Sequence, residues 1–74
     1  MAVVKQFSVQ DQNSRVGHTM CTGVIRKVEI DGQKYLQIDT YGSVDREIPD
    51  KLSQSLRLTE EAFMQLKTLG ENHF

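Results

Sequence analysis

The sequence predicts an α+β domain, in which an antiparallel meander of about four strands is followed by one C-terminal α-helix packed on the sheet. Three observations carry this prediction. Two long segments of alternating apolar and polar residues flank the dipeptide Asp31-Gly32, a shorter alternating segment spans 52–58, and the residues after Thr59 follow a helical period. The chain has 74 residues, which suffices for a single domain over 1–74.

Four strands are predicted from the alternation along the chain. The first covers 2–9 and the second 18–30, with a polar segment between them. The third covers 33–41, directly after a dipeptide that is typical of tight hairpin turns. The fourth covers 52–58, and residues 42–51, which include the only proline, are predicted to form the loop before it.

The register of the central hairpin has two possible solutions. A two-residue turn at Asp31-Gly32 pairs Ile30 with Gln33, whereas a three-residue loop that ends at Gly32 pairs Glu29 with Gln33. A slip of one residue moves every side chain to the other face, so the apolar pattern should select the register. The three-residue loop is preferred because it gathers the apolar residues on one face, and it requires a positive φ at Gly32. That face would carry Met20, Val24, Val28, Leu36 and Ile38.

The C-terminal helix begins at a recognisable cap. Thr59 is a favourable N-cap, two glutamates fill the first turn, and Leu58 with Phe63 matches a hydrophobic staple. Phe63 is therefore expected to be buried against the sheet. Gly70 is expected to end the helix, with 71–74 as a loose tail. The apolar stripe of the helix consists of Ala62, Phe63, Leu66 and Leu69.

Composition limits the class of protein. Only 38% of residues are hydrophobic and 7% aromatic, without tryptophan, and a domain this short buries only about 60% of its unfolded surface. Because this core is thin, a homodimer is expected.

The net charge of −1 favours neither nucleic acid nor membrane, and no apolar segment is long enough to cross a bilayer. The single cysteine, Cys21, and the lack of a signal-like N-terminal run favour a cytoplasmic location.

No catalytic or metal-binding constellation is predicted. His18 and Cys21 have a ligand-like spacing, but a structural zinc site needs four ligands, so Cys21 is expected to be a small buried side chain. The carboxylates between Asp39 and Asp50 are interleaved with Arg46 and Lys51, which favours a solvated loop over a magnesium site. The chain is therefore predicted to be neither an enzyme nor a cofactor-binding protein.

The second face of the sheet is the candidate binding site. In the preferred register it carries Tyr35, Gln37 and Tyr41 together with Ile25 and Lys27, and the last strand adds Ser53, Ser55 and Arg57. Aromatic rings beside cations on an open sheet are typical of surfaces that bind single-stranded nucleic acid, and equally of protein-binding surfaces. The candidate site residues are Lys27, Tyr35, Gln37, Tyr41, Arg46 and Arg57.

Two resemblances bear on this reading. The segment 36–43 (LQIDTYGS), followed by Asp45-Arg46 and 53–56 (SQSL), resembles a family of short bacterial proteins with an IDTYGS-x-DR…SQSL signature. That resemblance covers about residues 17–69 and implies no activity.

The segment 56–61 (LRLTEE), with a helix after a meander, is similar to the transcriptional positive-coactivator fold of single-stranded-DNA-binding proteins. This second resemblance implies a curved sheet that binds the strand and a helix that supports a dimer. The sequence departs from that family at 49–51, where Pro-Asp-Lys replaces a Lys/Gly-rich approach to the last strand.

Two functional hypotheses follow. The first is a dimeric module that binds single-stranded nucleic acid on the tyrosine-bearing face. The second is a small protein-binding adaptor or inhibitor, of the kind that phages and mobile elements encode, which uses the same face or an exposed strand edge.

Overall fold

The computed structural model describes residues 2–13, 20–42 and 52–74. They form four strands and one helix: β1 (Ala2–Val4), β2 (Thr22–Ile30), β3 (Gln33–Tyr41), β4 (Leu52–Leu58) and α1 (Glu60–His73). The α+β class is confirmed, as are the predicted bounds of β3 and β4. The predicted strand over 2–9 is wrong after Val4, and the strand predicted from residue 18 begins at Thr22, while residues 18 and 19 lie outside the described part.

The sheet is mixed, with strand order β1-β4-β3-β2. The strands β2, β3 and β4 form the predicted antiparallel meander, but β1 pairs parallel to β4, with Ala2 beside Leu56 and Val4 beside Leu58. The prediction of a purely antiparallel sheet is therefore wrong at its first strand. Alternation determines which side chains share a face, but it is the same for a parallel and an antiparallel neighbour.

The β2–β3 hairpin closes through a two-residue turn. Asp31 has φ 52° and Gly32 has φ 80°, and Ile30 pairs with Gln33. Two consecutive left-handed residues define a type I′ turn, whose twist matches that of the flanking strands. The positive φ predicted at Gly32 is confirmed, and the preferred three-residue loop is wrong.

This register redistributes the side chains of β2. Val24 lies opposite Asp39, while Ile25 lies opposite Ile38 and Lys27 opposite Leu36. The apolar pattern did not distinguish the two registers reliably, because both of them form apolar pairs across the strands. The observed register pairs Ile25 with Ile38. It also places Arg26 diagonally across from Asp39, two residues from direct opposition on the same face, where their side chains form an ion pair.

The apolar core of the described residues is small. Leu58 is 2% exposed and Ala62 is fully buried, and α1 contacts β3 and β4. Phe63 remains 36% exposed, so the prediction that it is buried is wrong. It lines an open cavity of about 410 Å³ between the start of α1 and the hairpin, together with Leu36 and Leu58.

The start of α1 is fixed by Thr59. Its hydroxyl oxygen accepts the Ala62 backbone N–H at 3.1 Å and donates to the Lys5 carbonyl oxygen at 2.8 Å. The Thr59 backbone N–H also donates to the Val4 carbonyl oxygen at 3.2 Å. The predicted N-cap is confirmed, and it also ties the helix to the segment that follows β1.

The segment after β1 runs along α1 rather than continuing the sheet. The Phe7 backbone N–H donates to Gln65 Oε1 at 2.9 Å, and Gln65 Nε2 donates to the Phe7 carbonyl oxygen at 3.2 Å. A side-chain amide thus replaces the backbone partner that a longer β1 would have needed. This explains why the strand is shorter than its alternation predicts.

The helix continues past Gly70 to His73, and the Phe74 N–H donates to the Gly70 carbonyl oxygen at 3.1 Å. The predicted end at Gly70 is therefore wrong, and 71–73 are helical rather than a loose tail. Glycine permits a left-handed C-cap without requiring one, and Asn72 supports the last turn by donating its amide to the Thr68 carbonyl oxygen at 2.8 Å.

Candidate binding face

The sheet face opposite α1 carries polar and aromatic side chains from three strands. Alternate residues of β3 share this face, and Gln37 at its centre lies opposite Arg26 of β2 and Arg57 of β4. Ser55 of β4 lies opposite Asp39. We call this surface the tyrosine face; its members are Arg26, Tyr35, Gln37, Asp39, Tyr41, Ser55 and Arg57.

A continuous chain of hydrogen bonds crosses the tyrosine face. Arg57 Nε donates to Gln37 Oε1 at 2.8 Å, and Gln37 Nε2 donates to Asp39 Oδ1 at 2.9 Å. Asp39 also accepts a bond from the Ser55 hydroxyl and one from Arg26 Nε at 2.8 Å. The chain therefore links all three strands through a single carboxylate.

The centre of this chain is buried and its ends are not. Gln37 is 8% exposed and Asp39 is 4% exposed, although no helix of the described residues covers this face. The Arg26 side chain remains 51% exposed, and its Nη2 donates to the Tyr41 hydroxyl at 3.1 Å. Among the described residues, every buried side-chain polar atom has a partner, which limits the rotamers available to this network.

Hydrogen bonds hold Asp39 in its charged form. The Ser55 hydroxyl, followed by Arg26 and Gln37, lowers the pKa of Asp39 from 3.8 to about 2. The hydrogen bond to Asp39, with that to Tyr41, raises the pKa of Arg26. Asp39 is thus a poor general base near neutral pH, and its geometry suits it to orient Arg26 directly and Arg57 through Gln37.

The structure brings four of the predicted site residues together and separates a fifth. Tyr35, Gln37, Tyr41 and Arg57 share the tyrosine face. Lys27 lies on the opposite face, beside Leu36, because the hairpin register differs by one residue from the preferred one. The sixth residue, Arg46, lies outside the described part of the chain.

Sequence reasoning missed Arg26 and Asp39 as members of the site. The signal for Arg26 was the two-residue turn at Asp31-Gly32, because that register alone places Arg26 opposite Gln37. The signal for Asp39 was alternation along β3, which puts it on the face of Gln37 in either register. In the preferred register Arg26 faced Leu36, so neither its ion pair nor its contact with Tyr41 could be anticipated.

The other sequence candidates do not assemble into a second site. Cys21 is exposed, so the prediction that it is buried is wrong. His18, Asp45, Glu47, Asp50 and Lys51 all belong to segments that are not described. Within 2–13, 20–42 and 52–74 no three His, Cys, Asp or Glu residues are close enough to hold a metal ion, and the helix there is too short and too polar to cross a membrane.

Comparison with known proteins gives no relative from which to transfer a role. No protein-family model, no curated protein and no solved structure matches the chain. The tyrosine face therefore has to be interpreted from its own geometry and charge.

Proposed function

We propose that the protein is a small non-catalytic module that binds single-stranded nucleic acid on the tyrosine face and acts as a homodimer. The observation that carries the proposal is the arrangement around β3. Two partly buried tyrosines of this strand are accompanied by one arginine from each neighbouring strand, and Asp39 and Gln37 hold both guanidinium groups.

Tyr35 and Tyr41 supply the stacking surfaces of the proposed site. They lie six residues apart on one strand, a separation of about 20 Å at the rise of a β-strand. The Tyr41 hydroxyl accepts a hydrogen bond from Arg26, which restricts its ring. Stacking on such rings tolerates any base, so the proposal predicts binding with little sequence preference.

Arg57 is the stronger candidate for a phosphate contact. Its Nε donates to the neutral amide of Gln37, and among the described residues no carboxylate neutralises it. The charge of Arg26 is compensated by Asp39. In the proposed site Arg26 therefore positions Tyr41 and offers its remaining N–H groups to the nucleic acid. A guanidinium whose orientation is already fixed loses less entropy when it binds a phosphate.

The test is a fluorescence anisotropy titration with a labelled single-stranded oligonucleotide at low and at moderate salt. Tyr35→Ala should weaken binding about 5–150-fold, because stacking contributes about 1–3 kcal/mol per base. The affinity should fall by about 0.7 log units per log unit of salt for each phosphate contact.

The chain offers a matched control for this titration. Lys27→Ala removes a cation from the opposite face of the neighbouring strand and should leave the affinity nearly unchanged. No binding at about 50 µM protein in low salt would overturn the nucleic-acid proposal, since even non-specific electrostatic binding should appear there.

A protein-binding adaptor or inhibitor is the second candidate. It is favoured by the Arg26–Asp39 ion pair and by the net charge of −1, which both reduce the attraction for phosphate. In that case the tyrosines bury against a partner protein, and nuclease treatment of a host lysate leaves the captured partner in place. Tyr35→Ala should then abolish capture, whereas Lys27→Ala should not.

A further inference from the structure

The strand β2 forms an open edge of the sheet. It has nine residues, whereas β1 at the opposite edge has three. Within the described ranges, no strand pairs with the outer side of β2. A long edge strand presents unpaired backbone N–H and C=O groups to any complementary strand.

The hairpin register determines which backbone groups face outward. Ile30 and Gln33 close the two-residue turn and bond to each other across it. In an antiparallel ladder alternate residues bond to the neighbouring strand, so the residues in between direct their N–H and C=O groups to the open side. The outward-directed residues of β2 are Gly23, Ile25, Lys27 and Glu29.

Apolar side chains accompany this open edge on both faces of the sheet. Within β2, Ile25 is 71% exposed and Ile30 is 43% exposed, and Met20, two residues before the strand, is 77% exposed. We infer that β2 pairs antiparallel with β2 of a second copy of this chain, which joins two four-stranded sheets into one.

Charge restricts the register of this pairing. About a twofold axis perpendicular to the sheet, centring the pair on Arg26 or on Lys27 opposes like charges directly, which is destabilising. Centring on Ile25 opposes each isoleucine to its copy, and it places Arg26 opposite Val24 and Lys27 opposite Gly23. Every cation of β2 then lies opposite an uncharged residue.

The same register covers the exposed apolar residues. Ile25 meets Ile25, and a pairing extended by two residues before Thr22 brings Met20 of one copy opposite Ile30 of the other. About six backbone hydrogen bonds join the outward groups of the two strands. A register centred on Val28 would oppose Lys27 to Glu29, but it overlaps only 26–30 and leaves Met20 and Ile25 exposed.

This pairing gives a structure to the homodimer of the proposed function. Its value for binding nucleic acid rests on that proposed function. The twofold axis is perpendicular to the sheet, so both tyrosine faces lie on the same side of the joined sheet. They form one continuous surface, which doubles the length available to a single strand of nucleic acid.

The first experiment measures the oligomeric state of the free protein by sedimentation velocity, without nucleic acid. Wild type should be a dimer, and Ile25→Lys should raise the dimer dissociation constant at least about tenfold, because it opposes two lysines across the axis. Val9→Lys is the matched control, since Val9 is 59% exposed and lies away from β2. The pairing would be overturned if wild type were a monomer at about 100 µM. It would also be overturned if Met64→Lys on α1 dissociated the dimer and Ile25→Lys did not.

The second experiment tests the register by a disulfide in a Cys21→Ser background. Directly opposed residues of a hydrogen-bonded pair have Cα atoms about 5.5 Å apart, within the range of a disulfide. Ile25→Cys should therefore give a covalent dimer on oxidation with glutathione disulfide, and Val28→Cys should not. Trapping by Val28→Cys alone would overturn the Ile25-centred register.

These outcomes separate the pairing from the nucleic-acid proposal. A monomer that still binds an oligonucleotide contradicts the pairing alone. A dimer trapped through Ile25→Cys that binds no oligonucleotide supports the pairing and contradicts the nucleic-acid proposal.

Discussion

Asp39 is the residue on which the tyrosine face depends. It is 4% exposed on the sheet face opposite α1, and it accepts bonds from Ser55, Gln37 and Arg26. Removing one partner of a buried, hydrogen-bonded charge leaves the others unsatisfied. The orientation of both arginines therefore rests on one carboxylate.

The lowered pKa of Asp39 makes the free energy of unfolding depend on pH in the acid range. Its folded pKa is about 2, below its ordinary value of 3.8, so its contribution is fully present above pH about 4 and is lost as the pH falls toward 2. Asp39→Asn should therefore flatten the decrease in unfolding free energy between pH 5 and about 2, measured by urea denaturation. Asp11→Asn, which makes the same charge change at an exposed carboxyl, should keep the wild-type slope; equal slopes for wild type and Asp39→Asn would contradict the assigned role.

At the scale of elements, the β2–β3 hairpin decides which residues form the site. Its type I′ turn pairs Ile30 with Gln33, and the alternative loop would transfer Arg26 to the opposite face. The turn therefore determines the membership of the candidate site as well as the pairing of the strands. Its two left-handed residues, Asp31 and Gly32, are the positions where the backbone restricts the choice of side chain.

Gly32→Val should destabilise the domain by about 1–2 kcal/mol or more, because a β-branched residue resists a φ of 80°. Gly32→Asn is the matched control, since asparagine tolerates the left-handed region, and it should lose much less. Thermal unfolding followed by circular dichroism compares the two. A Gly32→Val variant that melts with wild type would disprove the turn assignment.

At the scale of the whole molecule, stability comes from few buried apolar groups. Leu58 and Ala62 are the buried hydrophobic residues of the described part, and the rest of the helix stripe is partly exposed. The polar network of the tyrosine face and the Thr59 and Gln65 contacts to the N-terminal segment supplement this core. Such a domain gains from association, which agrees with the proposed pairing through β2.

Leu58→Ala should cost about 2–5 kcal/mol, because it opens a cavity where α1, β3 and β4 meet. Leu66→Ala removes the same atoms from a side chain that is 46% exposed and should cost clearly less. Chemical denaturation of both variants measures the difference. Equal losses for the two substitutions would show that the core does not centre on Leu58.

The sequence by itself determined the local features of this protein. The α+β class, the bounds of β3 and β4, the N-cap at Thr59 and the positive φ at Gly32 follow from alternation, capping and turn chemistry. These are short-range properties, so neighbouring residues suffice to specify them. The same reasoning placed Tyr35, Gln37 and Tyr41 on one face because residues two apart on a strand always share a face.

Only the tertiary structure decided which elements meet and in which register. The parallel pairing of β1, the exposure of Phe63 and the continuation of α1 past Gly70 were outside the reach of local patterns, and at the hairpin the apolar pattern opposed the turn signal of Asp31-Gly32. The physical reason is that alternation fixes faces but not partners. Arg26 and Asp39, which form an ion pair, are 13 residues apart in the sequence, and their contact appears only after the two strands are aligned.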